Sequence, residues 1–202
     1  MEKDIPPAKG QFYIKNFILY DALNGNSLDV DLENWRLEID GLVNKKLSFS
    51  YDELNKMEHL KYNLDFNCVT KWSIKNVLWE GPSLKKILEM AEVQKEAKFA
   101  IFYCLDGYTV PVNLEDITDD SIIALKLNGE ALKKEQGFPA RPFMPSLYGW
   151  KSAKWLKLIF LVKDYRDGYW ERYGYHPRGR WANQERFEND IWKRIKKTVI
   201  QF

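Results

Sequence analysis

Residues 60–73 read LKYNLDFNCVTKWS, an alternating stretch that runs into a polar one. Its apolar side chains fall at every second position: Leu60, Tyr62, Leu64, Phe66 and Cys68. This period predicts a half-buried β-strand, because successive side chains of a strand point to opposite faces of the sheet. A loop that begins at Val69 would carry Cys68 to the edge of the sheet, so Cys68 is the first candidate for chemistry.

The Cys68 thiol allows two interpretations. Its neighbours are polar, and Lys71 is close enough in sequence to favour a thiolate if the loop folds back. A reactive or metal-bound sulfur is one interpretation. An isolated cysteine is more often a small buried apolar residue, and the residues alone leave that alternative open.

Strand patterns recur along the chain without a regular strand–helix–strand rhythm. They are found in four further stretches: 35–41, 98–104, 121–127 and 155–162. The third stretch enters Asn128-Gly129, a dipeptide that fits a tight hairpin turn, and the fourth is expected to be a central strand. Interspersed strands and helices of this kind predict an α+β fold.

Two helices are predicted, one in the middle of the chain and one near its C terminus. Pro82-Ser83-Leu84 is expected to open the first, since proline is tolerated in a first turn. The second has an apolar row at Phe187, Ile191, Ile195 and Val199. We expect one domain over residues 1–202, with an N-terminal arm at 1–10 and a C-terminal helical segment at 181–202.

Composition excludes several classes of function. The 31 Lys and Arg nearly balance the 29 Asp and Glu, so no general attraction to nucleic acid or anionic lipid is expected. Two cysteines and two histidines make neither a disulfide framework nor a protein-only metal cluster. No apolar run reaches the roughly 20 residues that membrane insertion requires. Residues 1–10 also lack the features of a secretory signal. Both observations predict a cytoplasmic location.

A cationic stretch lies downstream at 137–155, GFPARPFMPSLYGWKSAKW. It holds Arg141, Lys151 and Lys154 beside the Ser152 hydroxyl. Guanidinium and ammonium groups near backbone donors at a glycine turn could bind a phosphate. A solvated basic loop is the alternative, and the stretch matches neither a Walker phosphate loop nor a dinucleotide-binding glycine motif.

Several blocks, taken in order, resemble one family. They are Tyr13-Ile14-Lys15-Asn16-Phe17, Asn67-Cys68-Val69-Thr70-Lys71-Trp72-Ser73, Asp106-Gly107-Tyr108-Thr109, Leu127-Asn128-Gly129-Glu130, Tyr148 to Trp155 and Gly168 to His176. This order resembles the sulfite oxidase-like molybdopterin oxidoreductases, especially their small single-domain prokaryotic members. The resemblance implies that family's mixed α+β fold, a mononuclear molybdenum bound by one molybdopterin, and two-electron oxygen-atom transfer.

The resemblance also implies site residues. Cys68 would be the protein ligand to molybdenum, a role that suits a soft thiolate. Tyr175 matches the family's active-site tyrosine in its spacing from Trp170, with core packing as the alternative role. The cofactor would be bound by Lys15, Asn16, Phe17, Cys104 or Asp106, Gln136, Arg141, Ser152, Ala153 and Lys154.

The chain departs from the sulfite-oxidising members of the family. Lys15 stands at the position of one substrate-binding arginine, and Trp72-Ser73 stands where another arginine pair occurs. An oxyanion would lose bidentate contacts, which disfavours sulfite. The pattern Cys-Val-x-x-Trp-Ser resembles the branch that contains periplasmic methionine-sulfoxide reductase, and this resemblance suggests reduction of a sulfoxide or an N-oxide. No haem-attachment motif is present, which implies a separate electron-transfer partner.

Three other functions remain as hypotheses. One is a descendant of the family that binds proteins without a cofactor. A second is a cysteine hydrolase that pairs Cys68 with His59 or His176. A third is a nucleic-acid or membrane-surface protein that uses Lys193, Arg194, Lys196 and Lys197, although such runs are usually solvated.

Overall fold

The computed structural model describes residues 7–188, which form a mixed α/β domain. In chain order its strands and helices are β1 (Phe12–Tyr13), β2 (Leu37–Gly41), β3 (Leu47–Phe49), α1 (Tyr51–Lys56), β4 (His59–Asn67), β5 (Trp72–Pro82), α2 (Leu84–Met90), β6 (Phe99–Cys104), β7 (Thr109–Asn113), β8 (Ile122–Ala124), β9 (Lys126–Leu127), β10 (Glu130–Ala131), β11 (Arg141–Phe143), β12 (Leu156–Val162) and α3 (Tyr169–Arg172). The predicted α+β class is confirmed.

Two five-stranded sheets make up most of the domain. One has the order β1-β5-β9-β10, with β4 also paired to β5, and the other has the order β3-β2-β12-β6-β7. In the second sheet, β12 lies between β2, to which it is parallel, and β6, to which it is antiparallel. The predicted central strand at 155–162 is therefore confirmed. A single cluster of buried apolar side chains includes residues of both sheets, among them Trp79 and Phe102.

Local sequence explains the other confirmed elements. In β2, Leu37 and Ile39 are buried while Glu38 is exposed, as strand alternation requires. Helix α2 begins after Ser83, whose side chain accepts a hydrogen bond from the Lys86 N–H and caps the helix. Pro82 ends β5 and so lies outside the first helical turn.

Two predicted elements differ from the structure. Residues 121–127 form two short strands, because the chain changes partners at Leu125: β8 pairs with β11, whereas β9 pairs with β5 and β10. Phe187 lies in an isolated bridge with Tyr175 and the residues described after 180 include no helix, while the rest of the predicted C-terminal helix lies outside the described residues. None of the helices between residues 7 and 188 has the length and apolarity that a bilayer crossing requires.

Candidate functional site

Cys68 lies in the tight turn that joins β4 to β5. The turn is closed by a bond of 3.1 Å from the Lys71 N–H to the Cys68 carbonyl and by one of 2.9 Å from the Cys68 N–H to the Trp72 carbonyl. Lys71 has a positive φ of 77° in this turn. The prediction that the strand ends before Val69 and leaves Cys68 at the sheet edge matches this geometry.

Two residues from distant parts of the chain donate hydrogen bonds to the main chain of this turn. The Gln11 amide donates to the carbonyls of Cys68 and Trp72, both at 3.0 Å. The Arg186 guanidinium donates to the Val69 carbonyl at 2.6 Å and to the Gln11 amide oxygen at 2.6 Å. Because these contacts involve main-chain oxygens of the turn, they fix the backbone that carries Cys68.

Cys68 is only 7% exposed, and its sulfur lies 3.1 Å from the Thr70 hydroxyl oxygen. Burial raises the pKa of Cys68, and the Thr70 hydrogen bond and the Arg186 charge oppose this rise in part. The expected role of Lys71 in favouring a thiolate is wrong, since Lys71 is exposed and the cation that acts on the thiol is Arg186. A thiol that stays protonated at neutral pH would be deprotonated on binding a metal.

A cavity of about 190 Å³ opens next to Cys68. Eight of the predicted site residues line it: Phe17, Cys68, Asp106, Arg141, Ser152, Ala153, Lys154 and Tyr175. Their roles stay predictions, but the structure brings these side chains from separate segments of the chain to one cavity. Cys68 is therefore joined to Arg141 by an open space rather than sealed in the core.

The cationic end of the cavity is built around Arg141. Its guanidinium donates to the Ser152 hydroxyl at 3.0 Å, to the Ser152 carbonyl at 2.8 Å and to the Gln136 carbonyl at 2.8 Å. Ser152 in turn donates its hydroxyl to the Pro142 carbonyl. Burial lowers the pKa of Arg141 to about 10, so it stays charged at neutral pH. The Ser152 hydroxyl thus serves mainly to orient Arg141.

Lys154 is the second cation of this end. Its ammonium donates to the Tyr20 carbonyl at 2.7 Å and the Glu135 carbonyl at 3.2 Å, and it lies 4.1 Å from the centre of the Trp155 ring. Burial, and then the Arg141 charge, lower the pKa of Lys154 to about 8. Two cations that raise each other's energy in a partly buried pocket create a place where an anion is stabilised.

The donor set fits a molybdopterin cofactor at both ends. Within residues 7–188 no carboxylate forms an ion pair with Arg141 or Lys154, so both charges are available to a phosphate. At the other end Cys68 offers one soft sulfur. Asp106 also lines the cavity, with a pKa raised by burial, and it accepts a 2.9 Å hydrogen bond from the Tyr108 N–H.

Four predicted cofactor residues are not on the cavity wall. Lys15 and Asn16 are exposed in the bend that follows β1 and do not line the cavity. Cys104 is buried at the end of β6, so of the pair Cys104 or Asp106 only Asp106 faces the space. The Gln136 side chain accepts a hydrogen bond from the Lys133 N–H, and this residue reaches the site only through its carbonyl on Arg141.

Tyr175 stands in an aromatic wall near Cys68. Its ring stacks on that of Trp170, with ring centroids 5.0 Å apart. It also makes a T-shaped contact with the Trp150 ring, with centroids 5.2 Å apart. Burial, and then the nearby Cys68 and Tyr20, raise the pKa of Tyr175, so its hydroxyl keeps its proton at neutral pH. A protonated phenol on the wall can donate a hydrogen bond to an oxygen atom in the cavity.

The hydrolase hypothesis finds no support in the structure. His59 contacts Glu80 at 3.1 Å and is the first residue of β4, at the opposite end of the strand from Cys68. His176 accepts a 3.0 Å hydrogen bond from the Arg178 N–H and does not line the cavity. Among the described residues no imidazole shares the cavity with Cys68, so the thiol lacks a general base there.

Sequence reasoning missed the residues that shape the thiol end. Thr70 and Trp72 lie inside the quoted motif but were not assigned to the wall that they form. Gln11 and Arg186 are 57 and 118 residues from Cys68, and no local pattern connects them to it. Only the completed fold brings them into contact.

Comparisons with known proteins agree on one family. The family described as the oxidoreductase molybdopterin binding domain matches residues 24–170. The uncharacterized oxidoreductase YuiH of Bacillus subtilis (strain 168) is 39% identical over 156 residues, which cover 76% of this chain and 79% of YuiH. The sulfane dehydrogenase SoxCD from Paracoccus pantotrophus has a similar fold, with a TM-score of 0.64 at 23% identity over 73% of this chain and 42% of that one.

Two further relatives have names that refer to sulfoxide reduction. The putative protein-methionine-sulfoxide reductase subunit YedZ1 of Azospira oryzae is 30% identical over 73% of this chain and 56% of its own length. The protein-methionine-sulfoxide reductase catalytic subunit MsrP of Campylobacter jejuni is 29% identical over 75% of this chain and 57% of its own length. The chain therefore spans a little over half the length of these two relatives.

Proposed function

Because the chain belongs to the oxidoreductase molybdopterin-binding family, we propose that it catalyses two-electron oxygen-atom transfer on a small neutral substrate, with sulfoxide reduction as the favoured reaction. The enzyme class and the molybdenum–molybdopterin cofactor follow from family membership. The substrate and the direction of transfer are the proposal. Reduction of a sulfoxide consumes two electrons and two protons and yields a thioether and water.

The chain's own residues have separate parts in this proposal. Arg141 and Lys154, which line the cavity, would hold the phosphate of the cofactor, and Cys68 would supply the sulfur ligand. When bound, the cofactor supplies a two-electron redox centre that exchanges an oxygen atom. Tyr175 donates a hydrogen bond from its hydroxyl to the substrate oxygen, and the aromatic wall excludes water around it.

One observation supports a neutral substrate: among the described residues, the cations of the cavity wall are Arg141 and Lys154, the two assigned to the phosphate. The lining includes Arg141 and Lys154, while the wall near Cys68 includes Phe17, Trp72 and Tyr175. Arg186 is close to Cys68, but it does not line the cavity, and it donates to the carbonyls and the amide behind the turn. An oxyanion such as sulfite would lie against aromatic rings without a charge-assisted contact, whereas a sulfoxide needs only a hydrogen bond.

The names of two relatives support the same reaction class and an enzyme made of more than one subunit. MsrP and YedZ1 are both described as subunits of protein-methionine-sulfoxide reductases. We infer that this chain also receives electrons from a separate electron-transfer protein. Its cytoplasmic location stays a prediction from the sequence.

Steady-state kinetics of the holoenzyme test the proposal. With a reduced dye as electron donor, kcat/KM is measured for a dialkyl sulfoxide and an aromatic N-oxide. Sulfite oxidation is measured with an electron acceptor. We expect turnover of the sulfoxide and little or no turnover of sulfite. Selective oxidation of sulfite would show that the substrate assignment is wrong, even though the family assignment would stand.

A further inference from the structure

A fully buried ion pair lies directly behind the aromatic wall. Lys151 and Glu171 both have 0% exposed side chains, and the Lys151 ammonium is 2.7 Å from a Glu171 carboxylate oxygen. The same ammonium donates to the carbonyls of Pro111 at 2.8 Å and Pro177 at 2.7 Å. All three N–H donors of Lys151 are thereby used, and neither charged group touches the cavity.

Apart from the Pro111 contact, the contacts of this pair lie next to residues of the aromatic wall. Trp150 precedes Lys151, and its indole N–H donates to the Glu171 carboxylate at 3.0 Å. Trp170 precedes Glu171 and stacks on Tyr175. Pro177, held by Lys151, lies two residues after Tyr175. One ion pair therefore links two of the rings that contact Tyr175, those of Trp150 and Trp170, and the backbone that follows it.

We propose that Lys151 and Glu171 are positioning residues that place the Tyr175 hydroxyl toward the substrate oxygen. This inference rests on the proposed function for the part played by Tyr175. Desolvating two charges is costly, and a pair of apolar residues could fill the same volume at similar stability. What apolar residues could not supply is the set of directed contacts to Trp150, Pro111 and Pro177.

The first test uses cofactor-free protein, so its readout does not depend on turnover. Lys151→Met is combined with Glu171→Gln, because removing one charge alone would leave the other buried without a partner. The ring signal of Tyr175 is followed by NMR of protein with ¹³C-labelled tyrosine, and Tyr175→Phe assigns it. We expect this signal to move toward the value of free tyrosine as the Trp170 and Trp150 rings lose their fixed places.

A matched control and a second variant accompany this test. Lys86→Met with Glu58→Gln removes an exposed pair of similar length, 2.8 Å, and should leave the Tyr175 signal unchanged. Lys151→Arg keeps the charge pair, which favours folding, but its longer head group should displace Pro177 and shift the signal by less. If both Lys151 variants leave the Tyr175 signal unshifted, or if the exposed-pair control shifts it equally, the proposal is overturned.

The second test uses holoenzyme and combines the changes. Tyr175→Phe should lower kcat at least tenfold in the unchanged background but less than twofold once the Lys151–Glu171 pair has been neutralised. Equal losses in the two backgrounds overturn the positioning role. No loss in either background means that the Tyr175 hydroxyl takes no part in the reaction, and the inference then fails together with that step of the proposed function. An unshifted NMR signal beside a normal Tyr175→Phe loss overturns the inference alone.

Discussion

The two ends of the cavity use their charged residues in different ways. At one end Arg141 and Lys154 line the space, without a carboxylate in ion-pair contact among residues 7–188. At the other end Arg186 is nearby but does not line the space: it donates to main-chain oxygens and the Gln11 amide oxygen behind the Cys68 turn, and the surface that faces the space there is aromatic. Proximity of a cation to a site is therefore a poor guide to the ligand. Arg141 and Lys154 also donate to main-chain carbonyls, so what separates them from Arg186 is that they line the space.

The largest expected effect is the loss of the sulfur at the thiol end. In Cys68→Ser a hard hydroxyl replaces a soft thiolate, so the metal loses its protein ligand. Turnover should fall by more than the roughly 100-fold that loss of an outer-shell partner causes. Molybdenum content and kcat of the purified protein measure this effect.

Cys104→Ala is the matched control for that change. Cys104 is the other cysteine of the chain, is buried in β6 and does not line the cavity. Its loss should leave molybdenum content and kcat within a few-fold of the unchanged enzyme. Full activity of Cys68→Ser, or equal damage by both variants, would refute the assignment of the metal ligand to the thiol end.

A smaller loss is expected from the cationic end. Arg141→Gln removes a buried charge that would contact the phosphate, an interaction worth about 1.5–3 kcal/mol, and should reduce pterin affinity by roughly 10- to 100-fold. Lys154→Gln should cost less, because its ammonium is less deeply buried and its pKa is about 8. Pterin fluorescence per chain reports the loading.

Lys157→Gln provides the control for charge alone. Lys157 is exposed on β12, so this variant removes one positive charge without changing the cavity wall. Its pterin content should match that of the unchanged protein. If Arg141→Gln loads as much pterin as Lys157→Gln, the phosphate does not bind at the cationic end.

The fold was predictable where the signal is local, and the site only in part. Alternation along β2 and β4 is a property of neighbouring residues, so both strands could be predicted. The cavity residues came from motif resemblance, which transfers a set of positions but not their surroundings in the fold: Lys15 and Asn16 are exposed and do not line the cavity. Arg186, and not Lys71, is the cation that acts on the thiol. Its contact with Cys68 spans 118 residues, and no sequence period encodes such a contact.

A new positive charge on the cavity wall should change which ligands the cavity accepts. Leu19 lines the cavity and is 44% exposed, so Leu19→Arg adds a guanidinium that can reach an anion near the mouth. An exposed charge pair is worth up to about 1 kcal/mol, so inhibition by sulfite or sulfate should strengthen roughly two- to fivefold. Phe12→Arg, at a position 55% exposed and off the cavity wall, should not change it. Equal inhibition in both variants would mean that the overall charge of the protein, and not the position of the charge on the cavity wall, controls anion binding.

The smallest expected effect concerns ionisation of the thiol itself. In cofactor-free Cys104→Ala protein, the alkylation rate of Cys68 follows its thiolate, and because burial raises the Cys68 pKa the rate should rise at a higher pH than for a free cysteine. Thr70→Val removes the hydrogen bond that opposes this rise, so the pH midpoint should move further upward. Lys71→Met should leave the midpoint unchanged, since that side chain is exposed and the Arg186 charge is the one that acts on the thiol. A larger shift in Lys71→Met than in Thr70→Val would restore the sequence-based role of Lys71 and remove Arg186 from the electrostatics of the thiol end.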